Sequence, residues 1–140
     1  MSTTIESVQD VKKTPYGFRI TLTGTLNVEE AEDHKFDILR QVTLEKNPFS
    51  LLVDLRSLTP IQPKVIQIIK QIVHTLSLMS IVRSAVIVQS SKPGGETIQA
   101  TAVALTKNYD RVIDAAKYPD WEKRALAWIE HEIEPFPDYD

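Results

Sequence analysis

The residues best suited to chemistry stand where apolar runs end. Asp54, Arg56, Ser57 and Thr59 follow the run Phe49-Ser50-Leu51-Leu52-Val53, and open α/β sheets bind ligands at the carboxyl ends of their strands. Ser90 and Ser91 close a second apolar run, Ala85-Val86-Ile87-Val88, and would leave the same edge. A carboxylate, a guanidinium and several hydroxyls at one edge could form a polar rim for an anion. The same residue types also satisfy loop backbone groups, so loop capping is the competing reading. Lys64 falls in the first turn of an expected helix, where the helix dipole opposes a cation by up to about 1 kcal/mol. Either it grips an acidic partner or ligand, or its long side chain reaches water.

Other constellations are sparse. His34, His74 and His131 do not cluster, and no His-x-x-x-His or Glu-x-x-His spacing occurs, so no metal site is expected. With no cysteine there is no disulfide, thiolate zinc site or cysteine nucleophile. No Gly-x-Ser-x-Gly elbow exposes a serine. Ser91-Lys92-Pro93-Gly94-Gly95-Glu96-Thr97 lacks the Gly-Lys-Ser/Thr ending of a phosphate loop and reads as a turn. These residues assemble no catalyst and call for no cofactor. Trp121 and Trp128, seven residues apart, share one helical face. Trp128 could anchor an interface or line an apolar cavity, or the pair could simply pack a helix on a sheet.

The elements that must position these groups follow from periodicity. Residues 5–11 and the alternating Phe18, Ile20 and Leu22 form two strands joined at Thr14-Pro15-Tyr16-Gly17, hence an antiparallel hairpin. Asn27 followed three residues later by Glu30 is a capping box, opening a helix over 28–45 with Ala31, Ile38, Leu39 and Val42 on its apolar face. The continuous run 49–55 suits a strand covered on both faces. Pro63 opens a helix with Val65, Ile68, Ile69, Ile72, Val73 and Leu76 at three-four spacing. Its apolar length, 65–79, would serve a core, a ligand groove or a homodimer equally well. After the strand 85–88, a helix over 96–108 turns inward mostly small residues, Ala100, Thr101 and Ala104 with Ile98 and Leu105, allowing close approach to the sheet. A short edge strand, 111–115, precedes a helix capped by Asp120 with Trp121, Ala125, Trp128, Ile129 and Ile133 on one side. Strands alternating with helices give an α/β fold, a mostly parallel sheet behind an antiparallel hairpin.

Composition is consistent with this. The chain has 140 residues, 42% hydrophobic and 25% charged, the profile of one ordinary domain, expected over 1–134. Its net charge is −3, but five acids and no Lys or Arg fall in 129–140, and the rest of the chain carries +2. An acidic tail is expected over 135–140. No basic stripe exists to neutralise phosphates, so nucleic acid is not an expected partner. The N-terminus lacks a signal-peptide pattern, and no uncharged stretch is long enough to span a membrane. The cytoplasm is the expected compartment.

The hairpin, the strand Leu51-Leu52-Val53-Asp54-Leu55-Arg56, the Pro-flanked entry to an Ile/Val-rich helix and the closing Lys123-Arg124-Ala125-Leu126-Ala127-Trp128-Ile129 resemble the SpoIIAA-like branch of the STAS (anti-sigma-factor-antagonist) superfamily. The resemblance implies a mixed sheet of four or five strands with about four helices, mainly on one face, and a role in protein–protein switching or small-ligand sensing. In lipid-binding relatives of this shape a groove beside the sheet holds an apolar ligand. Regulated antagonists read Asp-Leu-Ser-Gly and then Asp-Ser-Ser-Gly, with a phosphorylated serine at the start of the next helix. Here Asp54-Leu55-Arg56-Ser57 stands at the first block and Gln62-Pro63-Lys64-Val65 at the second, where Pro63 and Lys64 cannot accept a phosphoryl group. The leading expectation is a non-enzymatic module binding a protein partner through Asp54, Arg56, Ser57, Thr59 and Lys64. The alternative is a carrier or sensor of a small apolar ligand held between the helix 65–76 and the helix containing Trp128.

Overall fold

A computed structural model describes residues 7–25, 27–59 and 62–136. Its elements are β1 (Ser7–Thr14), β2 (Gly17–Gly24), α1 (Val28–Val42), β3 (Phe49–Asp54), α2 (Pro63–Ser77), β4 (Ile81–Val88), α3 (Gly95–Ala104), β5 (Asp110–Asp114) and α4 (Trp121–His131). The five strands lie in sequential order, β1-β2-β3-β4-β5. β1 and β2 pair antiparallel, and the remaining pairs are parallel. The expected hairpin, mixed sheet and edge position of β5 are all present. Of the first expected strand, Ile5 and Glu6 lie outside the described residues.

Sequential order has a direct consequence. β-α-β crossovers are right-handed in nearly all proteins, and each step here moves in the same direction across the sheet, which puts α1, α2 and α3 on one face. One core joins Phe18, Ile20 and Leu22 of β2, Leu51 of β3 and Val88 of β4 to Ile38, Val65 and Ile98 of those helices. Among the described residues no strand follows α4, so no crossover dictates its side. It packs on the opposite face, where Leu52, Ala85, Ile87 and Ile113 meet Trp121, Ala125, Trp128 and Ile129. β3, in the middle, is buried on both faces, as its unbroken apolar run requires.

Local signals explain most boundaries. The Asn27 side chain accepts from the Glu30 amide at 2.8 Å and the Glu30 carboxylate accepts from the Asn27 amide at 3.4 Å, completing the capping box. α1 stops at Val42, short of residue 45, because the Thr43 hydroxyl takes the Leu39 carbonyl. α3 likewise stops at Ala104, where the Thr106 hydroxyl takes the Val103 carbonyl at 2.8 Å. Its inward residues are Ile98, Thr101, Ala102 and Leu105; Ala100 and Ala104, expected inside, are exposed. Asp120 makes no side-chain cap to α4, since its carboxylate takes the Arg124 guanidinium at 2.9 Å. α4 ends when Glu132 turns left-handed, which places Ile133, expected on the packed face, beyond the helix and 53% exposed. Pro135 is buried and Phe136 stacks against Tyr118 with ring centroids 5.3 Å apart; residues 137–140 lie outside the described residues.

Gly17 starts β2 with φ of +148°, and a Cβ there would stand 2.1 Å from the Ser50 carbonyl oxygen. Both the conformation and the close approach to β3 require glycine. Gly17→Ala is therefore expected to lower unfolding free energy by about 2 kcal/mol or more, measured by urea denaturation. A change within about 0.5 kcal/mol would show that β2 and β3 separate at this end without cost.

Candidate functional site

At the carboxyl edge of the sheet, Asp54 is 5% exposed and faces the α4 side, where alternation along β3 puts it with Leu52. Its Oδ1 accepts from the Arg56 backbone N–H and Nε, and its Oδ2 from Arg56 Nη2, each at 3.0 Å. The Arg56 guanidinium then lies over the Trp121 ring, 4.1 Å from its centroid. Arg19 approaches the same carboxylate to 4.0 Å while pairing with Glu122 at 3.0 Å. This is a forked carboxylate–guanidinium pair that also closes the turn after β3. Its groups answer one another, leaving little for an external anion.

The other edge residues divide. The Thr59 hydroxyl donates to the Gly24 carbonyl at 2.9 Å, and with the Gly24 amide on the Ser57 carbonyl at 3.0 Å it ties the loop before α2 to the end of β2. The Ser57 side chain is exposed. Lys64 is exposed at the second position of α2, behind Pro63, and Gln62 supplies no side-chain cap. Thus Asp54, Arg56, Ser57, Thr59 and Lys64 share one edge, with Asp54, Arg56 and Thr59 engaged in the fold. Trp128 does not join them. It is 4% exposed beneath α4, with its indole N–H donating to the Ser84 carbonyl at 3.1 Å and Arg111 over its ring at 3.9 Å.

A second buried carboxylate, Asp114 at the end of β5, repeats the device. It accepts from the Ser90 amide at 3.1 Å, the Ser90 hydroxyl at 2.5 Å and the Ala116 amide at 3.0 Å. Gly95 follows, where a Cβ would stand 2.1 Å from the Gln89 carbonyl oxygen, so the glycine pair serves a tight turn.

An apolar void lies elsewhere. A cavity of about 140 Å³ opens between α2, α3 and the sheet, walled by Val53 and Val86 below, Ile69 and Val73 of α2, Ala102 of α3 and Leu105 just past its end. An open groove lined by Ser77, Thr106, Lys107, Asn108 and Tyr109 adjoins it, sharing Thr106 and Tyr109, and marks an approach between the ends of the two helices. The small residues of α3 border this space. The sequence placed a ligand between α2 and the Trp128 helix; because α4 sits across the sheet, the void is instead bounded by α3.

Ser84, Tyr109 and Asp110, at the polar end of the cavity, were not anticipated. Ser84 is the one polar residue on the inward side of β4, which was a usable signal. Its partner was not readable, because Ser84 meets Asp110 only through the β4–β5 register. The histidines form no cluster, and among the described residues no group of three or more metal-ligating side chains occurs. Among the described residues no helix is long and apolar enough to cross a membrane.

Burial works against the charge of Asp114, but the Ser90 hydroxyl and amide, the Ala116 amide and the nearby Lys117 outweigh it and hold the carboxyl below its ordinary value near 3.8. A depressed folded pKa means stability that is present above the unfolded value and lost as pH falls through the folded one. Asp114→Asn should therefore cost about 1–3 kcal/mol at neutral pH yet flatten the loss of stability below about pH 4. Urea unfolding across that range checks both; an unchanged acid limb would remove Asp114 from the account.

No protein-family model matches the chain, and no curated protein matches it. Among solved structures it is similar to a crystal structure from Shewanella loihica PV-4, described as an uncharacterised protein of the DUF3478 family with a SpoIIAA-like fold. The two share 17% identity with a TM-score of 0.56, over 86% of this chain and 98% of that one. With the strand order, the antiparallel first hairpin and the three-plus-one helix arrangement, this likeness assigns the chain a SpoIIAA-like α/β fold.

Proposed function

We propose that the chain is a non-enzymatic STAS-like module that holds a small apolar molecule between α2, α3 and the sheet. The cavity carries this reading. An apolar space near 140 Å³ without an occupant leaves its lining short of packing partners, a deficit that a bound apolar molecule would make good in part. The strand-end groups support the absence of catalysis, since Asp54 is committed to Arg56 and Asp114 to Ser90. Pro63 and Lys64 in the first turn of α2 support a mode of action without the serine switch of regulated antagonists.

Exposed Ser57 and Lys64 favour a second reading, in which the α2 entrance docks an acidic protein partner. That reading requires Lys64→Glu to weaken the partner complex; an unaffected complex would end it.

The cavity reading is tested by native mass spectrometry of freshly purified protein and of Ala102→Leu. The wild-type chain should carry a small apolar adduct or take one up on titration. The substitution fills space beside α3, so it should abolish uptake while raising stability by about 0.5–2 kcal/mol. Equal uptake by both proteins would contradict the assignment.

A further inference from the structure

The polar end of the cavity specifies what its occupant must carry, an inference that rests on the reading of the cavity as a ligand site. The Ser84 hydroxyl donates to Asp110 Oδ1, and the Lys107 amide donates to Oδ2 at 2.7 Å. Thr101 and Thr106 donate their hydroxyl protons to the Thr97 and Val103 carbonyls at 2.9 and 2.8 Å. With their hydroxyl protons committed elsewhere, Ser84, Thr101 and Thr106 can offer the cavity only acceptor oxygens, and Asp110 is an acceptor by nature, so the small polar part of an otherwise apolar lining accepts rather than donates. Tyr109 is the remaining polar wall, and its hydroxyl has no hydrogen-bond partner among the described residues. Burial and then the charge of Asp110 raise the Tyr109 pKa, which keeps that hydroxyl protonated and able to donate. Among the described residues no cation lines the cavity to offset Asp110.

Size adds a second restriction. An engineered apolar cavity of about 150 Å³ in another protein holds benzene, so a space of about 140 Å³ suits one ring or a chain of similar volume and excludes a two-tailed lipid. We infer that the cavity binds a small neutral alcohol or phenol, its hydroxyl donating to Asp110 and accepting from Tyr109 while its ring or short chain lies against Val53, Val73 and Ala102. A carboxylate of the same size meets Asp110 as a like charge and is refused. A hydrocarbon of the same size fits but leaves the polar end unanswered.

Titration of the full chain with toluene, phenol and benzoate, followed by amide chemical shifts around the cavity, separates the possibilities. Phenol and toluene should bind and benzoate should bind at least about tenfold more weakly than phenol. Asp110→Asn should weaken phenol about fivefold to tenfold while leaving toluene within about twofold, and should narrow the gap to benzoate. Ser84→Ala provides a second variant that leaves the β5 loop amide on Asp110. Benzoate binding as tightly as phenol in the wild-type chain overturns the inference and needs no variant. So does a phenol affinity that follows toluene through both substitutions; either result leaves the cavity reading standing. Failure of both toluene and phenol removes the cavity reading and this inference with it.

Discussion

Right-handed crossovers between strands in sequential order are the constraint on which the rest depends. Three consecutive steps in one direction put α1, α2 and α3 side by side on one face. α1 and α2 pack together, the Lys35 ammonium donating to the Gln71 side-chain Oε1 at 2.9 Å across their boundary. α3 and its C-cap present only Ile98 and Leu105 as large inward residues, and between them Thr101 and Ala102 leave the space that α2 spans but does not fill. The cavity is thus a product of topology and of small side chains on one short helix.

The other face is held differently. α4 is fixed by two tryptophans, each carrying an arginine on its ring, Arg56 over Trp121 and Arg111 over Trp128. Those arginines are themselves oriented by carboxylates: Asp54 for Arg56, and Glu134 at 2.7 Å for Arg111. A guanidinium stacked on an indole and forked to a carboxylate has little freedom left, so strand ends, helix and C-terminal segment are joined in one network. This explains why the strand-end rim, placed where α/β sheets usually bind ligands, is occupied by the protein's own groups. Asp54 and Asp114 each take an amide two residues ahead, at Arg56 and Ala116, which makes them loop anchors at equivalent strand ends.

Much of this is legible in the sequence. The capping box at Asn27 and Glu30, the two-sided burial of β3, Pro63 at the head of α2 and the packed face of Trp121, Ala125, Trp128 and Ile129 are local patterns, and local patterns survive in the fold. What was hidden depended on partners distant in sequence. By its type and position Asp120 suits a cap, but Arg124 claims its carboxylate. A helix of small residues has no strong apolar direction, so the sequence does not separate Ala100 and Ala104 from the inward face, and Ile98 with Leu105 decides its rotation. The side taken by α4 is not encoded in crossover handedness, which is why the Trp128 helix was paired with α2. Ser84 and Asp110 are 26 residues apart and meet only through strand register.

The central claim is that the space between α2, α3 and the sheet is a dry, accessible binding volume. A crystal of the protein pressurised with xenon tests it without assuming any natural ligand, because xenon enters apolar cavities of this size. A single strong xenon peak among Val53, Val73 and Ala102 is the predicted result. Ordered water among Val53, Val73 and Ala102, or side chains of α2 collapsed into that space with no xenon bound, would contradict the account.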